Sequence, residues 1–242
     1  MKDWQYNCAA DLGMAWSQRF RSTRRESGIA ASGLRFLWHF FVKVVLRIWN
    51  RFEIRGRENL PGQPPFIIVA NHSSHLDAVV LASALSWRWR DQISPLAAGD
   101  YFFDSLPIAG FAAGILNALA IWRQRQHGRR HELEDLRDRL IKQSAIYIVF
   151  PEGTRSRDGQ IHTFKPGFAT LIAATHIPVI PCRLSGNYAA LPPGRIFLRP
   201  RKIMMTVGRA MTFEDIPNHA SGWVEITRRV QRATQDLLPY AL

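Results

Sequence analysis

His72 and Asp77 stand five positions apart in VANHSSHLDAVV, Val69 to Val80, directly after the apolar run FIIVA. In a regular helix, residues five apart diverge by about 140° around the axis, so the pair meets only if His72 lies in the turn ahead of a helix. Ser74 and Asp77 form the S-x-x-D pattern of a capping box, which would start the helix at Ser74 and leave His72 in that turn. Asp77 could then hold one imidazole nitrogen and leave the other free to accept a proton. The plainer alternative is an aspartate that only decorates a helix start beside a satisfied turn histidine. His75 makes H-x-x-H with His72, but no carboxylate or thiolate pattern completes a metal site, so no metal is expected.

A second polar block, FPEGTRS, Phe150 to Ser156, follows another apolar run. Gly153 permits a tight turn, and Arg155 offers a planar fork suited to phosphate. Glu152 and Thr154 can hold that fork or accept hydrogen bonds from a polyol. A surface turn with a solvated arginine is the simpler possibility, but Arg123 also emerges from an apolar strand and Lys165 follows in FKPG. Three cations at three loop positions suit a phosphate better than each suits solvent.

These residues need elements to position them. Phe66–Ala70 and Ala145–Phe150 read as buried strands, and His131–Gln143 between the two blocks reads as a charged helix. From 105 to 122, SLPIAGFAAGILNALAIW, the sequence suggests a short helix opened by Ser105 and Pro107, a break near Asn117, and a buried strand Ala118–Trp122. A helix around Pro166–Thr175 and the apolar segment IPVIPC complete the alternation. Strands alternating with helices predict an α/β fold with a largely parallel sheet, whose sites lie beyond the carboxyl ends of its strands.

Ahead of this core, Ser32–Arg51 carries Leu34, Leu37, Phe41, Val44, Val45 and Ile48 at helical spacing, with Arg35, His39, Lys43, Arg47 and Arg51 recurring every fourth residue. The pattern predicts an amphipathic helix lying in a membrane interface, its cations meeting anionic headgroups. Charge interrupts it too often for a comfortable span. Trp4, Cys8, Leu12, Trp16 and Phe20 hint at an earlier helix. The formal net charge of +13 points to an anionic partner surface, and eight tryptophans lean that choice towards membranes. Cys8 and Cys182 are the only cysteines, so a disulfide framework is not expected and a reducing compartment is. The N-terminus lacks the apolar stretch of a signal peptide.

Taken together, the blocks resemble the glycerolipid acyltransferases typified by 1-acyl-sn-glycerol-3-phosphate acyltransferases. Asn71, His72, Ser74 and Asp77 match that family's N-H-x-S-x-x-D block. Ile121 to Arg123 resembles its second block, FPEGTRS matches its third, and IPVIP, Ile177 to Pro181, is similar to its fourth. RGRENLP, Arg55 to Pro61, resembles its lead-in, and the likeness covers about residues 52–209. The resemblance implies a mixed, largely parallel central sheet flanked by helices, with residues 1–51 as an N-terminal membrane-associating segment and 52–242 as the acyltransferase domain.

For chemistry, the resemblance implies transfer of a fatty acyl group from acyl-CoA or acyl-carrier protein to the free hydroxyl of 1-acylglycerol-3-phosphate, forming phosphatidic acid. His72 and Asp77 would be catalytic. Asn71, Ser74, Arg123, Glu152, Gly153, Thr154, Arg155 and Lys165 would bind substrate, and no cofactor beyond the thioester is implied. The absence of G-x-S-x-G argues against a serine hydrolase and leaves Ser73 and Ser74 structural. The enzyme would be peripheral or monotopic on the cytoplasmic face of the cell membrane. Another lysolipid acceptor, such as a lyso-ornithine lipid or another lysophospholipid, fits the same blocks. A non-catalytic nucleic-acid or membrane-binding protein would explain the charge but not NHSSHLD, so no nucleic acid partner is expected.

Overall fold

A computed structural model of the chain describes residues 9, 11–23, 25–26, 28–98, 109–121 and 129–237. At its centre is a seven-stranded sheet: β1 (Glu53–Arg55), β2 (Phe66–Ala70), β3 (Ile93–Ala98), β4 (Leu119–Ile121), β5 (Ile146–Val149), β6 (Val179–Ser185) and β7 (Met204–Val207), ordered β1-β7-β6-β2-β5-β3-β4. Every pairing is parallel except β6 with β7. The architecture is thus the largely parallel α/β sheet expected from the strand and helix alternation, and it is mixed, as the family resemblance implies.

The central strands are continuous apolar runs because both faces of the sheet are covered. All five residues of β2 and all four of β5 are buried. On one face, α4 (Arg129–Lys142), α6 (Ala220–Gln235) and a 3-10 segment Pro166–Leu171 supply Leu136, Leu140, Phe168 and Ile226 to the core around Ile67, Val69 and Tyr147. On the other, α2 (Ile29–Ile48) and α3 (Asp77–Ala84) pack Val42, Leu46, Val80 and Leu81 over Phe66, Ile68 and Ile148. Burial of side chains of this size contributes about 1.5–3 kcal/mol each, which anchors the two strands that carry the polar blocks.

Three details depart from the expectations. The segment after Pro166 is 3-10 over Pro166–Leu171, and the chain then turns through Ala174, whose φ is 55°. Between 105 and 122, the described part is a π-helical turn, Phe111–Ile115, followed by Asn117 at a φ of 53° and then β4. Asn117 makes the break by donating its amide to the carbonyls of Asp91 and Ile93 at 3.0 Å each. At the N-terminus, the described helix is the short α1 (Trp16–Arg21); Trp4 and Cys8 lie outside the described residues, as do Ser105 and Pro107.

In α2 the orientation differs most from the expected one. Its basic stripe does not all face outward: Arg35 and His39 are buried, and the exposed side carries Leu34, Phe36, Leu37, Phe40, Phe41, Val44 and Ile48. Arg35 donates to the carbonyls of Gly114 and Ala113 at the end of the π-helical turn and pairs with Asp91 at 3.0 Å. Lys43 donates to the carbonyl of Leu85, just past α3, at 3.0 Å. Free carbonyls at helix ends are natural partners for cations, and they draw this stripe inward. Burial, with Lys43 and Arg90 nearby, pushes His39 down to about 4, so it is neutral at physiological pH. Arg47 and Arg51, at the end of the stripe, remain exposed.

Candidate active site

β2 and β5 are neighbouring parallel strands with Val69 opposite Val149. The chain therefore leaves both at the same edge of the sheet, and Asn71-His72 emerge beside Phe150-Pro151-Glu152. Two polar blocks 80 residues apart meet because the strands below them are in register. The join is hydrogen-bonded in both directions. The backbone N–H of His72 donates to Glu152 Oε1 at 2.8 Å, and that of Ser156 donates to the carbonyl of His72 at 2.7 Å.

Within the first block, His72 Nδ1 lies 2.9 Å from Asp77 Oδ2. An ionised carboxylate only accepts, so Nδ1 carries the proton and Nε2 presents its lone pair. Asp77 is fully buried and also accepts from the backbone N–H groups of Ser73 and Ser74, at 2.6 and 2.8 Å, and from Asn187 Nδ2 at 2.7 Å. The imidazole itself stacks on Phe150, ring centroids 4.2 Å apart, and its side chain keeps 20% exposure. One ring nitrogen is thus held by Asp77, while the side chain as a whole stays partly exposed.

The helix begins at Asp77 rather than Ser74. Asp77 reaches back to the Ser74 N–H as a capping box requires, but Ser74 Oγ donates to the carbonyl of Leu191 at 2.7 Å and accepts from Leu76 N–H at 3.1 Å. His72 still falls ahead of the helix. Asn71 is equally committed: its carboxamide donates to the carbonyl and accepts from the N–H of Leu184, extending the β2–β6 ladder with a side chain. Both residues are buried and shape the turn.

In the second block, Gly153 has a φ of 74°, and the Nζ of Lys165 lies 3.1 Å from where a β-carbon would sit. The absence of a side chain lets the lysine lie over the turn. Glu152 is buried, with Oε2 accepting from His162 N–H at 3.2 Å. Desolvation raises its carboxyl above the usual range, partly opposed by the two backbone N–H groups. Its bonds thus brace the His72 turn. Thr154 and Lys165 are exposed and Arg155 is half-buried, its guanidinium against the ring of His75. Burial first, then Arg155 and His72, lowers the pKa of His75. Arg123 lies outside the described residues.

Sequence reasoning missed Asn187, which comes from a distant element. Gly186 closes β6 at a φ of 84°, where a β-carbon would collide with the carbonyl of Lys202, and α5 (Asn187–Ala190) then starts with Asn187 aimed at Asp77. The one available signal was Gly186-Asn187, which follows the apolar segment IPVIPC after Arg183, Leu184 and Ser185.

The Acyltransferase family profile matches residues 51–185. The chain is 31% identical over 162 residues to "1-acyl-sn-glycerol-3-phosphate acyltransferase BAT2, chloroplastic" of Brassica napus, covering 64% of this chain and 44% of that one. It is 27% identical over 186 residues to a 1-acyl-sn-glycerol-3-phosphate acyltransferase of Pseudomonas aeruginosa, covering 73% of this chain and 68% of the relative. Against several of these curated relatives, the match spans only about half of their length. The crystal structure of the 1-acyl-sn-glycerophosphate (LPA) acyltransferase PlsC from Thermotoga maritima shares the fold, with a TM-score of 0.57 and 21% identity over 84% of this chain and 94% of that one. Because the family profile covers more than half of the sequence, including both polar blocks and the strands beneath them, the chain belongs to the acyltransferase family.

Proposed function

We propose that this chain transfers a fatty acyl group from a thioester, acyl-CoA or acyl-carrier protein, to the free hydroxyl of 1-acylglycerol-3-phosphate, forming phosphatidic acid. The observation that carries the reading is the His72–Asp77 pair at 2.9 Å, tied through His72 N–H and Glu152 to the loop bearing Arg155. A thioester is already activated, so no covalent enzyme intermediate is required. His72 Nε2 takes the hydroxyl proton as the oxygen attacks the carbonyl carbon. Asp77 holds the ring and stabilises the imidazolium. Collapse of the tetrahedral adduct breaks the C–S bond, and the departing thiolate takes the proton back from His72, leaving an ester and a free thiol.

The acceptor phosphate is assigned to Arg155, with Lys165 over Gly153 and with Arg123. Asn71, Ser74 and Glu152 act by holding the two turns in register. Thr154 and the Gly153 backbone remain assigned to the glycerol end of the acceptor. Fixing base and acceptor in one frame replaces a bimolecular encounter with a positioned one. The reaction needs no cofactor beyond its thioester co-substrate.

Both acyl chains belong to the bilayer, and we assign residues 1–51 to membrane association and 52–242 to catalysis. By length and a mean hydropathy of 1.5, α2 is apolar enough to cross a membrane. Its buried Arg35 and His39 hold it against the domain, which favours an in-plane helix with its phenylalanines in lipid. A thioester donor puts the site on the cytoplasmic face. Incubation with labelled acyl-CoA and a panel of lysolipids tests the reading: transfer to lysophosphatidate is expected, and robust transfer only to other lysolipids would replace the acceptor.

A further inference from the structure

The loop between α5 and β7, PPGRIFLRPR, exposes Ile196 and Phe197 at 84% and 80%. Two adjacent large apolar side chains in water are a poor arrangement for a soluble surface, and neither belongs to the site described above. The loop is not a slack excursion. Its neck is closed by Arg199 N–H donating to the carbonyl of Ala190 at 2.9 Å, and its tip turns through Arg195 N–H on the carbonyl of Pro192. Trp49 Nε1 donates to the carbonyl of Leu198, and Asn50 donates to the carbonyls of Arg199 and Arg201. The loop is therefore fastened to the end of α2.

We infer that this loop is a second bilayer-inserting element, which dips Ile196 and Phe197 among the acyl chains of an anionic membrane beside α2. Three features of the surface specify that occupant. An open apolar groove of about 400 Å³, lined by Val44, Val45, Ile48, Trp49 and Leu198, joins the exposed face of α2 to the loop without a polar break. Arg195, Arg199 and Arg201 flank the apolar tip and are at least partly exposed, and Arg47 and Arg51 are exposed on the neighbouring end of α2. An apolar centre with a cationic rim matches hydrocarbon beneath anionic headgroups; the rim would have no partner in a purely apolar contact.

The same loop reaches the candidate active site at its other end. Leu191 accepts the hydroxyl hydrogen of Ser74, and Asn187, four residues earlier, holds Asp77. Insertion would set the height of the His72 turn above the membrane at a second point besides α2, fixing its tilt as well as its depth. The inference rests on the membrane reading of α2 and extends it to a new element.

The test uses the full chain carrying Cys8→Ser, in which the remaining native Cys182 is fully buried in β6 and shielded from the dye. One cysteine is added at Phe197 (Phe197→Cys) or, separately, at Phe40 (Phe40→Cys), and each variant is labelled with an environment-sensitive dye. Vesicles of phosphatidylcholine with phosphatidylglycerol, with and without brominated acyl chains, are then added. Both dyes should shift to the blue and be quenched by the bromines, and Ile196→Ser with Phe197→Ser should weaken vesicle binding roughly tenfold or more. Arg195→Glu with Arg199→Glu should weaken it on anionic vesicles and leave phosphatidylcholine binding little changed. A dye at 197 that stays in water while the dye at 40 enters the bilayer overturns the loop's role and leaves α2 untouched. If both stay in water, the membrane reading falls and the loop's role with it. Circular dichroism of the serine variant separates lost binding from lost fold.

Discussion

The carboxamide of Asn187 meets the carboxylate of Asp77 at 2.7 Å, and both side chains are removed from solvent. Asp77 Oδ2 is engaged by His72 and two backbone N–H groups, whereas Oδ1 has Asn187. Asn187→Ala leaves that oxygen buried without its donor, a loss of about 1–3 kcal/mol in stability. Acyl transfer should fall through kcat with the KM of both substrates nearly unchanged, because the residue acts through Asp77 on the tilt of His72. Thermal melts and full saturation kinetics check this. A lower Tm with unaltered kcat would restrict Asn187 to the fold.

Glu152 links stability to pH. Its carboxyl is raised by desolvation, so the folded protein holds that proton to higher pH than the unfolded chain. The stabilisation associated with the neutral form is complete below the ordinary value of 4.5 and is lost as pH rises through the raised folded value. Relative to Glu152→Gln, the wild-type Tm should therefore decline as pH is raised from about 4 towards neutrality. Melting curves of the two proteins across that range decide it, and a relative gain for the wild type on raising pH would reverse the sign assigned here.

For α2, the expected consequences of mutation follow its apolar outer face. Leu37→Glu with Phe41→Glu should cut vesicle sedimentation by roughly tenfold or more, since two exposed apolar side chains would carry charge into lipid. Arg35→Ala should act on folding, removing bonds to Gly114, Ala113 and Asp91 at a loss of roughly 2–4 kcal/mol. The reverse pattern, with Arg35 governing vesicle binding and the Leu37/Phe41 pair indifferent, would return the cationic stripe to the membrane.

Arg155→Ala should raise the acceptor's KM by roughly tenfold or more, the scale of a lost charge-assisted contact. The effect should be concentrated on phosphate-bearing lysolipids. Equal losses with acceptors that carry no phosphate would make Arg155 a structural partner of His75.

Much of the sheet and both polar blocks were legible because they rest on local pattern. FIIVA and AIYIVF can be buried on both sides only in the middle of a covered sheet, and the polar residues that follow each run fall at its carboxyl edge. Asn187 was not legible in the same way. It reaches Asp77 only because β6 lies beside β2, a pairing the spacing of 110 residues does not reveal. The orientation of α2 was hidden for a related reason. Periodicity separates the cations from the phenylalanines, but which side turns inward depends on carbonyls at 85, 113 and 114 that accept those cations. The antiparallel pairing of β7 with β6 likewise depends on a loop of irregular structure between 191 and 203, whose sequence carries no hairpin signal.

Proton transfer to His72 is the central step of the proposed chemistry. Acyl transfer from labelled acyl-CoA to lysophosphatidate should be measured for wild type and His72→Ala after circular dichroism has shown the same fold. Loss of kcat by roughly 10²-fold or more, the usual contribution of a positioned general base, is the expected result. Turnover within a few-fold of wild type would contradict it and remove the His72–Asp77 pair from the chemistry.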